Sequence, residues 1–216
     1  MNKTKNNSLN KDFYTQRNNE LKPEGACNVT AMINALSAAG WPVEKLATEK
    51  YSQPEDALMN FILTDNAIAV AWKRLDPARN YPPNEWHPLL AKGANLYLKK
   101  CGLLADGEDA VFFSESRPWS DIIDVIDNGG AAICTGTFTT ATKKAIGHVI
   151  AIVGYEKNDQ GIITNFIVDD SWGDYRDGYK TKNGNDVKMP VEDFLCLMRP
   201  RNLFSKIMHV VKKYEK

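Results

Sequence analysis

No stretch of this 216-residue chain is apolar for long enough to span a bilayer, and its beginning, Met1-Asn2-Lys3-Thr4-Lys5-Asn6-Asn7-Ser8, lacks the apolar core of a secretory signal. The first absence argues against a helical membrane protein. The second gives the expectation of a cytoplasmic protein. Charge of one sign is not in excess either, since Lys+Arg and Asp+Glu both number 27. That balance removes the global electrostatic reason to expect nucleic acid or a membrane surface as partner, and it favours a small-molecule, peptide or protein substrate. The four cysteines, at 27, 101, 134 and 196, lack the close pair spacing of a zinc site or a redox Cys-x-x-Cys. Internal repeats, low-complexity linkers and a separate cell-wall-binding module are also missing. The length fits one domain, with two lobes around a cleft.

What is present concentrates at Cys27. The amide-rich run Gln16-Arg17-Asn18-Asn19 gives way after Cys27 to Val29, Met32, Ile33 and Leu36, spaced as one buried helical face. A thiol in the first turn of a helix meets free backbone N–H groups and the positive end of the helix dipole, which favour thiolate over thiol. A nucleophile of this kind needs a base. Far downstream, Gly147-His148-Val149-Ile150-Ala151-Ile152-Val153-Gly154-Tyr155 reads as a strand that begins at His148. After the turn-like Asn158-Asp159-Gln160-Gly161, a second apolar run from Ile162 to Val168 ends in Asp169-Asp170-Ser171-Trp172-Gly173. Two adjacent strands can carry an imidazole and a carboxylate side by side, and the fold must bring the thiol to them.

These residues resemble a known family. Gln16, the run Gly25-Ala26-Cys27-Asn28-Val29-Thr30-Ala31-Met32, the strand start Gly147-His148-Val149-Ile150 and the turn Asp170-Ser171-Trp172-Gly173 are similar to the motifs of papain-like cysteine peptidases related to the bacteriocin double-glycine leader peptidases. The resemblance covers roughly residues 13 to 173. It implies Cys27 as nucleophile, His148 as general base and acid, Asp170 as the group that orients the imidazole, and Gln16 as oxyanion-hole donor. It also implies an α+β papain-like fold, with an N-terminal helical lobe carrying the nucleophile packed on a C-terminal, mostly antiparallel β-sheet. The common form of the family has Cys-Gly-Pro where this chain has Cys27-Asn28-Val29.

The remaining pattern is consistent with that class. Residues 1–12 are Asn/Lys-rich and expected to be a disordered lead-in to a single domain over 13–216, with a helical lobe to about 128 and a sheet lobe after it. Helices are expected from Cys27 to Ala39, from Ser52 to about Lys73, from Asn84 to Gly102 after a loop with Pro77, Pro82 and Pro83, and in a short segment with Pro118 in its first turn. Strands are expected at 131–137, 148–155, 162–168 and 205–212. Helices first and strands later read as α+β.

Several residues compete for roles. Asp169 and Asp170 lie on opposite faces of a strand, so only one can point at His148, and the Asp-x-Trp-Gly motif selects Asp170. Asp169 then reads as a solvent-facing or turn-capping carboxylate. Asn18, Asn19 and Asn28 are further amides that could donate to an oxyanion. His87 and His209 read as structural, and Cys101, Cys134 and Cys196 as small buried hydrophobes. The acidic series Asp169, Asp170, Asp174, Asp177, Asp186 misses the EF-hand spacing, so neither metal nor cofactor is expected. The chemistry implied is amide hydrolysis on a peptide or a peptidoglycan stem peptide, the wall being reached through phage-assisted release. An acyltransferase with an amine or thiol acceptor uses the same three groups. A non-catalytic binding module is the third reading.

Overall fold

The computed structural model describes residues 3–73, 86–200 and 202–215. Helix α1 (Cys27–Ala38) is the centre of the fold, and every residue from Val29 to Ala38 is buried. It carries no charged side chain, as a helix covered on all sides requires. One side rests on the sheet and the other on α2 (Pro54–Thr64) and α4 (Trp86–Lys100). The helix expected from Ser52 to Lys73 is two, α2 and α3 (Ala69–Lys73). Asp65 breaks it: its backbone is extended, and its side chain accepts the Ala67 N–H at 2.9 Å. An Asp that bonds the chain two residues on offers the backbone a turn in place of the helix. The expected loop with Pro77, Pro82 and Pro83 and the Asn84 cap lie outside the described residues.

Among the described residues the sheet has seven antiparallel strands: β1 (Lys3–Asn6), β2 (Val111–Pro118), β3 (Ala131–Thr139), β4 (Ala145–Lys157), β5 (Ile163–Asp169), β6 (Val187–Pro190) and β7 (Ser205–Val211). Their order is β2-β7-β3-β4-β5-β6, with β1 beside the far half of β4. Alternation along β4 sends Val149, Ala151 and Val153 towards α1 and sends Ile150 and Ile152 towards α5 (Asp121–Asp127) and α6 (Val191–Leu197). Both faces are covered, so the central strands read as continuous apolar runs. The α+β class and the papain-like arrangement expected from the sequence are those of the molecule.

Some expectations need correction. The stretch expected to be a disordered lead-in contains β1, which pairs with β4 from Lys3↔Lys157 to Asn6↔Gly154. Amides hold it where apolar contacts do not: Asn7 Nδ2 donates to the carbonyls of Ile126 and Gly130, both at 2.8 Å, and Asn6 Nδ2 donates to Asp186. Gly154 admits the close approach, since a Cβ there would collide with the Lys5 carbonyl oxygen. Pro118 does not open a helix but ends β2, which belongs to the sheet although it falls within the stretch assigned to the helical lobe. Cys134 is buried as expected, but Cys101 is half-buried and Cys196 is exposed, because α6 turns it away from the core. Among the described residues no helix is long and apolar enough to cross a membrane.

Candidate active site

Four elements meet at one end of the sheet. Cys27 is the first residue of α1, His148 lies near the start of β4, Asp170 follows the last residue of β5, and Gln16 opens a short 3-10 helix, Gln16–Asn18. The β4–β5 register sets Ile152 opposite Val168 and Ala151 opposite Asp169. By alternation, Asp170 shares the face of Val168 and His148 that of Ile152, while Asp169 turns the other way. His148 Nε2 accordingly lies 2.7 Å from Asp170 Oδ1, and both side chains are buried.

The Cys27 side chain interacts with the same ring, whose second nitrogen, Nδ1, is not the one bound to Asp170. Burial alone would depress the pKa of His148. The charge and hydrogen bond of Asp170, then those of Cys27, outweigh it and push the pKa up to about 10. The Asp170 carboxylate thus favours the protonated form of the ring. Phe138 meets that ring edge-on at 5.5 Å, and the Trp172 backbone N–H donates to Asp170 Oδ1 at 2.9 Å.

Gln16 is buried and bound to the turn that holds Asp170. Its Oε1 accepts from Ser171 Oγ at 2.7 Å, and its Nε2 donates to the Pro23 carbonyl at 2.8 Å. A side-chain amide has two N–H groups, so one remains to donate. Arg17 stacks on the Trp172 ring at 4.0 Å and donates from Nε to the Trp172 carbonyl at 2.8 Å. Gly173, at φ 128°, closes the turn where a Cβ would collide with the Thr181 carbonyl oxygen.

The family model described as Peptidase C39 like matches residues 8–190. The chain belongs to the peptidase C39-like family. No curated protein matches it. Membership supports a cysteine-peptidase-like, hydrolytic function for this C39-like chain at the level of the family.

The other candidates fall elsewhere in this C39-like protein. Asp169, expected to face solvent or cap a turn, is buried. It accepts the Asp186 N–H at 3.0 Å, and burial raises its pKa to about 7. Asp169 lies on the Ala151 side of the sheet, where the backbone of Asp186 and not water meets it. His87 stacks on Phe113 and His209 is tilted against it in a buried cluster, where His209 Nε2 donates to the His87 carbonyl at 2.9 Å. Burial lowers their pKa values to about 3 and about 4. Asn28 Oδ1 accepts the Val29 N–H, while Asn19 Oδ1 accepts the N–H groups of Leu21 and Lys22. The acidic series does not converge: Asp174 pairs with Arg176, Asp177 binds Thr181, and Asp186 accepts from Asn6 and Ser8. Sequence reasoning missed Phe138, Ser171 and Tyr179 as neighbours of the site. Only Ser171 carried a signal, its place inside Asp170-Ser171-Trp172-Gly173.

Proposed function

We propose that this chain is a cysteine peptidase that hydrolyses an amide bond of a peptide, with Cys27 as nucleophile, His148 as base and acid, and Asp170 as the orienting carboxylate. The observation that carries the reading is the buried contact of His148 Nε2 with Asp170 Oδ1 at 2.7 Å, on a ring that Cys27 also influences. The proton shared by Cys27 and His148 resides on the ring, and the sulfur attacks the substrate carbonyl carbon as the thiolate. The backbone N–H of Cys27 and the remaining Gln16 Nε2 hydrogen donate to the tetrahedral oxyanion, at about 3–4 kcal/mol per donor by the usual cost of removal. His148 then gives its proton to the leaving amine as the C–N bond breaks. Water, deprotonated by His148, resolves the thioester and restores the thiol.

The test uses the whole protein with a diverse peptide library and with purified sacculi, whose peptidoglycan stem peptides are the first substrates to try. New amino termini are read by mass spectrometry. Termini that vanish in Cys27→Ala and His148→Ala are the expected result. Products that require an added amine or thiol acceptor make the chain an acyltransferase. No Cys27-dependent product under either condition overturns the peptidase reading in favour of a binding module.

A further inference from the structure

Tyr179 has no part in the chemistry above, yet it is tightly constrained beside His148 and Asp170. Its backbone sits at φ 70°, a left-handed conformation that a bulky aromatic residue rarely adopts. Such a conformation persists where the surroundings over-determine it. Here the Tyr179 N–H donates to the Asp174 carbonyl at 2.9 Å, and its own carbonyl accepts from Lys182 Nζ at 3.0 Å. The ring is buried, edge-on to His148 at 5.9 Å and tilted against Phe138 at 6.4 Å.

The polar atoms nearby are incompletely paired. Asp170 Oδ1 receives His148 Nε2 and the Trp172 N–H. Asp170 Oδ2 and the Tyr179 hydroxyl are both buried and have no close hydrogen-bond partner among the described residues. The phenol nevertheless responds to its neighbour: burial first, then the charge of Asp170 and a side-chain interaction with it, push its pKa upward. A buried donor and a buried acceptor left over around the same His148 ring are each other's natural partner.

We propose that Tyr179 is a positioning residue for the Cys27–His148–Asp170 chemistry: its hydroxyl donates to Asp170 Oδ2, fixing the carboxylate against His148. The inference rests on the peptidase reading of those three groups. Donors on both oxygens leave the carboxylate one orientation, the one that holds the His148 imidazole in place.

Alkylation of Cys27 by iodoacetamide, followed by peptide-resolved mass spectrometry across a pH series, tests this without a known substrate. In Tyr179→Phe, labelling of Cys27 should slow roughly tenfold, the usual consequence of losing one such hydrogen bond. In an Asp170→Asn background the same substitution should add nothing, because Tyr179 acts through Asp170. A Tyr179→Phe profile that superimposes on wild type, or an equal effect in both backgrounds, overturns the proposal. If Tyr179→Phe does not fold, NMR of the wild-type protein decides: a slowly exchanging Tyr179 hydroxyl proton is expected, and its absence is equally fatal. His148→Ala separates the two readings. If it leaves Cys27 labelling unchanged, the Cys27–His148 pairing itself fails; if it slows labelling while Tyr179→Phe is silent, only the role of Tyr179 fails.

Discussion

Asn28 and Val29 stand where the common form of the family has glycine and proline, and the two changes are coupled. Proline in the first turn has no N–H to satisfy, whereas Val29 does, and Asn28 Oδ1 accepts it at 2.8 Å. Asn28→Ala should therefore cost about 1 kcal/mol in urea denaturation, in the range for losing a helix-start acceptor. The double change Asn28→Gly with Val29→Pro should recover most of it, and a double variant no more stable than Asn28→Ala would sink the coupling. At this scale the sequence is informative where chemistry and periodicity coincide. Cys27 opens a patterned helix, and His148 and Asp170 bound apolar strands whose alternation puts them on one face. Tyr179 is illegible because a left-handed residue in a loop belongs to no period.

Among the elements, β3, β4, β5 and β7 are readable because both faces of the sheet are covered, so burial writes itself as largely apolar runs. Strand β2 is not, since it lies at the sheet edge and contains Ser114, Glu115, Ser116 and Arg117. The short β6 and α6 offer too few residues to establish a period. Lys206 in β7 shows how an element can conceal its function: by residue type it reads as exposed, yet it is fully buried. Its Nζ lies 2.9–3.2 Å from the carbonyl oxygens of Leu195, Met198, Pro200 and Asn202, four acceptors shared among its three N–H groups, and ties the end of α6 to the start of β7. That loop binds β3 through the Arg199 N–H to the Thr135 carbonyl, and β3 sets Gly136 opposite His148. Lys206→Met should destabilise the protein by about 2–4 kcal/mol, since several carbonyls lose their donor together. Chemical denaturation measures it, and a loss below the error of the experiment would show that water replaces the ammonium without penalty.

Across the whole molecule, the buried ionisable groups oppose one another as pH changes. Burial raises Glu55 and Asp169 to about 7 from ordinary values of 4.5 and 3.8, so between those limits the folded chain holds more protons than the unfolded one. Their contribution to stability falls as pH rises through that window. Burial lowers His87 and His209 to about 3 and about 4 from 6.5, so there the unfolded chain holds more protons and stability rises with pH. Between about pH 4.5 and 6.5 the two pairs therefore offset each other. Above that range His148, raised to about 10, makes the folded chain the better proton holder and stability declines. Urea denaturation at a series of pH values should show a near-level region followed by an alkaline decline. Glu55→Gln removes one of the falling contributions, so stability in that variant should climb with pH across the level region. His148→Ala should flatten the decline above about pH 7. A Glu55→Gln curve parallel to wild type would mean that Glu55 is already ionised in the folded protein, which its complete burial argues against.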